Sequence, residues 1–357
     1  MSPSSKMTLG RAVDWQFAAT VGAKLARPGP PATDYTRRQV IDELAESARR
    51  AELPVRDVTG LIEGGEIPEA RVVDRPEWIG AAAQSMRVMT GGLDDRAERA
   101  DGQNDRPKPN FVTGRITGAQ TGAVLAFVSS GILGQYDPFA PHGGELLLVY
   151  PNVIAVERQL RVLPADFRLW VCLHEVTHRV QFTAVPWLRR HMLDEINALT
   201  ETIETDPAEL RRRVGEAVGE LVKVVRGQGD GAGLLAVLAT PEQRSVLDRV
   251  TAFMSLVEGH AEYVMNAVPE SVIPTQQTIE SRFAARRRSG NPLDRLLRRL
   301  LGMEAKTRQY VDGSAFVRGV VDRIGVHDFN AIWTSPETLP TKAEISDPQR
   351  WIARIHA

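Results

Sequence analysis

The stretch LPADFRLWVCLHEVTHRVQFTAVP, residues 163–186, decides how this chain is read. Pro164 suits the first turn of a helix, where its missing N–H costs nothing, and Asp166 puts an acid at the positive end of the helix dipole. Phe167, Trp170, Val171, His174, His178 and Gln181 then recur at i+3 and i+4 spacing, and Pro186 closes the segment. At about 3.6 residues per turn, His174 and His178 stand one above the other on a single face, a spacing that suits two imidazole nitrogens on one zinc ion. Glu175, between them, is placed to hold and deprotonate a water. With seven His in 357 residues, an HExxH pentapeptide arises by chance in roughly one chain in a hundred, so its context has to carry the argument. The plain alternative is a pair of hydrogen-bonded core histidines with Glu175 in solvent. The helical pattern outweighs it, because both histidines fall on the inward face, where an unpartnered imidazole is costly to desolvate.

A catalytic zinc takes three protein ligands and keeps one position open. A metzincin would place glycine at position 181 and histidine at 184, where this chain has Gln181 and Ala184, and the short-spacer aminopeptidase pattern would place glutamate at 197, where it has Asn197. The better source is a second helix, predicted over about residues 241–268, that opens on Thr240-Pro241-Glu242-Gln243, a capping-box arrangement. Val250, Met254, Val257, Ala261, Met265 and Val268 form its apolar stripe, and Glu258 lies at the edge, where a carboxylate wants a partner. Glu262, one turn on, can accept a hydrogen bond from the far nitrogen of a ligand histidine. Gly259 permits close approach of another helix. His260 is the rival to Glu258 and sits about 200° around the helix from it, so both cannot face one metal. Glu262, Glu195 and His191 remain further candidates, and His142, His327 and His356 read as surface or core singletons.

HExxH on one helix and Glu-x-x-x-acid on a later one resembles the gluzincin scheme. More closely, the chain resembles an actinobacterial family of zincin-like metallopeptidases, some of whose members are labelled putative hydrolases or proteins associated with deazaflavin-cofactor biosynthesis. Val13-Asp14-Trp15, Tyr150-Pro151-Asn152, the 174–178 motif, Glu258 to Glu262, Lys306 to Tyr310 and the tail from Leu339 to Trp351 carry the resemblance. It implies Glu258 as third zinc ligand and Glu262 as the acid that orients the first histidine. It also implies a peptidase-like fold without establishing peptidase activity. Zinc held by His174, His178 and Glu258 would polarise a substrate carbonyl, with Glu175 as general base and then proton donor to the leaving amine. Tyr310, Tyr263 and Arg308 are candidates for an added donor to the developing oxyanion, Tyr310 ahead of the others. Two functional classes follow: a zinc hydrolase acting on a peptide or other amide, or a non-catalytic zincin scaffold used for binding or regulation.

Gly143 to Tyr150 reads as a short strand, either an edge on which an extended peptide pairs or an interior strand. At 43% hydrophobic and 25% charged residues, the composition is that of an ordinary globular protein. A net charge of −1 gives no general attraction to nucleic acid or anionic lipid, and Arg211-Arg212-Arg213 and Arg286-Arg287-Arg288 read as solvated helix faces. The lone Cys172 excludes an intramolecular disulfide framework and reads as a small core residue. The polar start, residues 1–10, lacks the apolar run of a signal peptide, so a cytoplasmic protein with a disordered tail is expected. The apolar stretch Gly122–Gly134 is too short for a membrane span and predicts a buried helix with close-packing glycines.

The whole predicts a predominantly helical α+β zincin-like fold. Residues 11–110 form an N-terminal helical portion, broken near 27–31, at Pro54, at Gly60 and at Gly64-Gly65, and ending in a polar loop from Gly91 to Asn110. Residues 111–357 form the catalytic unit. Within it, helices are expected near 187–203, 207–226 and 232–239, a flexible turn over 227–231, further helix after 270, and an irregular tail from Trp333 that packs back. Nothing in the sequence sets the oligomeric state.

Overall fold

The computed structural model describes residues 13–61, 68–101, 111–203, 241–288 and 303–356. Helix α1 spans Trp15–Leu25 and α2 Asp34–Thr59; β1, Arg71–Val73, leads into α3, Arg75–Asp101. Helix α4 is Phe111–Ser129, followed by β2 at Gly134–Asp137 and β3 at Glu145–Val149. Then come α5, Tyr150–Leu160, α6, Pro164–Ala184, and α7, Trp187–Ile203. Helices α8, Pro241–Ala267, α9, Gln276–Arg288, and α10, Met303–Phe329, precede the short α11, Lys342–Ile345, and α12, Pro348–Ile355. The architecture is predominantly helical with one small sheet, the α+β class that the sequence predicts.

The sheet has the order β1-β3-β2, with β3 parallel to β1 and antiparallel to β2. The strand expected over 143–150 is therefore the interior one. Its continuous apolar run is the mark of burial on both faces. Leu146 and Leu148 point into one core with Leu44 of α2, Phe167 and Leu173 of α6 and Val264 of α8, whereas Leu147 and Val149 point into another with Trp78 and Ile79 of α3 and Leu125 of α4. A third core joins Phe253, Leu256 and Val257 of α8 to Phe316, Val317 and Val320 of α10 and to Trp351 of the tail. Helix α8 thus runs from one core into the next, while α6 lies between α2 and the sheet.

Local chemistry accounts for several helix ends. Asp14 accepts a 2.9 Å bond from the Phe17 amide to start α1, Thr33 caps α2, and Gly60 ends α2 in the left-handed region at φ 64°. Gly259 of α8 does meet a neighbour closely: a Cβ there would lie 2.1 Å from the Gly313 carbonyl carbon of α10. The tail packs back as expected, with Trp351 buried and its indole N–H donating to the Thr338 carbonyl at 2.8 Å.

Three local expectations change. Pro54 lies inside α2 instead of breaking it, because Arg50, whose carbonyl loses its intrahelical donor, faces solvent, while Ala51, Glu52 and Val55 hold the helix in the core. Helix α3 continues to Asp101, through the first half of the expected loop, and residues 102–110 lie outside the described residues. The apolar stretch from Gly122 is helical only to Ser129 and then turns into β2, and its Val124 is exposed on the outer side of α4. The expected close packing does occur, since a Cβ on Gly122 would meet the Ala18 carbonyl oxygen of α1 at 2.5 Å. The tail at 1–10, Gly64-Gly65, Arg211-Arg212-Arg213, the elements expected over 207–239 and the Thr240 cap lie outside the described residues. No described helix is long and apolar enough to cross a membrane.

Candidate metal centre

Helix α6 presents His174 and His178 toward α8, which crosses it and offers Glu258. The two imidazole Nε2 atoms are 3.2 Å apart, and Glu258 Oε2 lies 3.5 Å from each. Tetrahedral zinc with bonds of about 2.0–2.2 Å separates its ligand atoms by roughly 3.3–3.6 Å, so this triangle fits the ion closely. The donor set fits as well. Two imidazole lone pairs and a carboxylate oxygen repel one another at these distances unless a cation or proton lies between them. Burial pushes His178 down, but the Glu258 carboxylate beside it, with Glu175 and the Gln181 hydrogen bond, outweighs this, and the imidazole ends above its ordinary value. His174 is the most open of the three, with 20% of its side chain exposed against 12% for His178 and 8% for Glu258, so solvent reaches the site most readily at His174.

Glu175 is buried behind β2. Gly134, the first residue of that strand, packs directly on it: a Cβ there would stand 2.7 Å from Glu175 Cγ and 3.1 Å from its Oε1. The edge strand of the sheet and the carboxylate of the motif are therefore in contact because position 134 has no side chain. Four residues with a single aromatic gave no strand pattern in the sequence, and Gly134 marked only the end of an apolar run.

The far nitrogen of His178 is held by an amide. Its Nδ1 lies 2.9 Å from Gln181 Oε1, while Gln181 Nε2 donates to the Val257 carbonyl at 3.0 Å and lies 2.9 Å from His260 Nδ1. His260 does not join the ligand triangle. It is buried with its ring stacked on Phe329 at 5.6 Å and edge-on to Trp333 at 5.3 Å, and burial followed by the neighbouring His178 charge pushes its pKa down to about 3. The signal for this arrangement was local only in part: Gln181 fell on the inward face of the helical pattern, but its partners stand 76 and 79 residues further along.

The other candidates do not join the ligand triangle or lie outside the described side chains. Glu195 pairs with Arg249 at 2.8 Å, and His191 sits between Trp187 and Phe253, its pKa lowered by burial. Glu262 is half-buried one turn beyond Glu258, and its backbone carbonyl accepts from Asn266. Tyr263 is half-buried and packs against both of the cores that α8 joins. Arg308 and Tyr310 lie on α10, but their side chains are outside the described residues, as is that of His142. His327 and His356 are exposed, and Cys172 is buried in the core with its thiol pushed up by burial. Among the described residues, His174, His178 and Glu258 are the group of His, Cys, Asp and Glu that could hold a metal ion.

The family model for zincin-like metallopeptidases matches residues 13–352 of the chain. Among solved structures, the chain is similar to a putative hydrolase with a novel fold from Chloroflexus aurantiacus, at 29% identity and a TM-score of 0.67, covering 96% of this chain and 99% of the other. No curated protein matches it.

Proposed function

The chain belongs to the zincin-like metallopeptidase family, and from that premise we propose that it is a zinc-dependent hydrolase that cleaves a peptide bond or a closely related amide. The observation that carries this reading is the convergence of His174 Nε2, His178 Nε2 and Glu258 Oε2 on one point, with Glu175 in the same helix turn. Zinc bound there would supply Lewis acidity, polarising a carbonyl and making a water acidic near neutral pH. His174, His178 and Glu258 hold the ion in this reading, and Glu262 orients His174.

Glu175 takes the proton from the attacking water and returns it to the leaving nitrogen. Its burial against Gly134 keeps the carboxylate in one place and away from bulk solvent. Strand β2, at the outer edge of the sheet, is where an extended substrate would pair by its main chain, with the scissile carbonyl entering from the open His174 side. Tyr310 is the proposed donor to the oxyanion. The N-terminal portion, residues 11–110, serves as the buttress of α6 through α2.

The test is metal content and turnover measured together. Purified protein dialysed against zinc should hold near one equivalent, and His174→Ala and Glu258→Ala should lose it. A peptide library cleaved by the wild-type protein should be left intact by Glu175→Gln with its zinc retained. Wild-type protein that takes up no zinc on reloading would sink the hydrolase reading in favour of a non-catalytic scaffold.

A further inference from the structure

A backbone carbonyl decides which nitrogen of His178 faces the metal position. The carbonyl of Val257 can only accept a hydrogen bond, and it lies 3.0 Å from one terminal atom of the Gln181 amide. That atom must therefore be the nitrogen, since an oxygen there would set two acceptors against each other in a buried place. Gln181 is fully buried, so no solvent relieves the wrong orientation. With the nitrogen turned to Val257, its second N–H points at His260 Nδ1 at 2.9 Å, and the amide oxygen is left for His178 Nδ1 at 2.9 Å. An amide oxygen only accepts, so His178 Nδ1 must carry a hydrogen. The lone pair for a metal is then on Nε2, the atom 3.2 Å from His174 Nε2. By the same reasoning His260 Nδ1 accepts, which places its hydrogen on Nε2.

We propose that Gln181 is a positioning residue for the metal centre, fixing the tautomer of His178 through its bonds to the Val257 carbonyl and to His260. The device differs from a carboxylate that accepts the histidine hydrogen, because an amide must itself be oriented. Val257 and His260 supply that orientation from both sides, and Phe329 and Trp333 hold the His260 ring where it can do so. Val257 also immediately precedes Glu258 in α8. One amide thus ties the histidine ligand on α6 to the helix turn that carries the carboxylate ligand.

The inference rests on the zinc-hydrolase reading for its purpose, but its tautomer assignments are testable without metal. Full-length protein with 15N-labelled histidine, measured metal-free by long-range 1H–15N correlation, should show hydrogen on Nδ1 of His178 and none on Nδ1 of His260, the signals assigned with His178→Ala and His260→Phe. Gln181→Met keeps length but not polarity and should weaken zinc binding about 10–100-fold in a competition titration. Gln181→Glu restores the acceptor for His178 and removes both donors. It should recover only part of the zinc affinity, because its second oxygen faces the Val257 carbonyl, and move the hydrogen of His260 from Nε2 to Nδ1. A hydrogen on His260 Nδ1 in the wild type, or unchanged zinc affinity in Gln181→Met, would overturn the proposal while leaving the hydrolase reading intact. Absence of zinc from the wild type would overturn that reading instead, and the tautomers would still decide this one. If Gln181→Met does not fold, the His260 tautomer in Gln181→Glu carries the test alone.

Discussion

Helix α6 buries charge-bearing side chains on two faces about a third of a turn apart, and the two faces are finished differently. On one, Arg168 pairs with Glu157 at 2.9 Å and with Glu43, and Arg179 pairs with Glu52 at 2.5 Å and donates to the Pro68 carbonyl at 2.7 Å. Each arginine is matched by carboxylates from α2 or α5, and Glu52 is matched again by Arg56. On the other face, His174 and His178 meet Glu258 with three ligand atoms turned toward a single point. The first face balances its charge within the protein and so can only hold the helix in place. The second turns three ligand atoms toward one another in a group that could hold a metal ion. Burial of ionisable groups is therefore not by itself a sign of a working site; convergence of like lone pairs is the more telling feature.

That contrast can be broken by substitution on either face. The largest effect is expected from Glu175→Gln, which should lower kcat/KM on a cleaved peptide about 10²–10⁴-fold while leaving the thermal midpoint and zinc content in place. Arg179→Ala should behave in the opposite way. It leaves Glu52 with Arg56 as its one remaining arginine and the Pro68 carbonyl without its donor, and should cost about 1–3 kcal/mol in urea unfolding, with zinc stoichiometry unchanged in the folded fraction. A loss of zinc as severe as that in His174→Ala would show that the two faces are not separable.

Stripping the metal sharpens the same contrast. Zinc at about 100 times its Kd should stabilise the wild-type protein by about 2.7 kcal/mol over the chelated form, an increment absent from His174→Ala and retained in Arg168→Met. The smallest effect is expected at Gly134→Ala. The added methyl must displace Glu175, and turnover should fall about tenfold with little change in zinc affinity. A drop in zinc affinity there as large as the drop in turnover would mean that β2 supports the ligands and not the base.

Much of this was legible in the chain before any fold was known, where the informative residues lie within one or two helical turns. The 174–178 motif and its helix were readable because the apolar pattern, Pro164 and Pro186 agree on one period. Glu258 stood out as a carboxylate on the edge of an apolar stripe, which is a local contradiction. Helix α8 itself was predicted to within a residue or two. Less could be read where a residue's role depends on a distant partner or where an element is too short for a period. Strands β1 and β2 have three and four residues, too few for alternation to show. Pro54 read as a break because its sequence neighbours cannot reveal that the carbonyl it deprives of a donor faces water. His260 remained the rival to the favoured Glu258 until the ring was seen stacked on Phe329 and edge-on to Trp333.

The sequence by itself determined the helical character of the chain, the two helices that matter and the pairing of His174 and His178 on one face, because periodicity and ligand chemistry are properties of short segments. Tertiary structure alone decided that Glu258 and not His260 meets the histidines, that the apolar strand is interior and Gly134 backs Glu175, and that Gln181 binds across to α8. Those outcomes depend on how helices cross and which atoms are left facing each other in a buried space, where an unmatched donor or acceptor costs more than any local preference can offset.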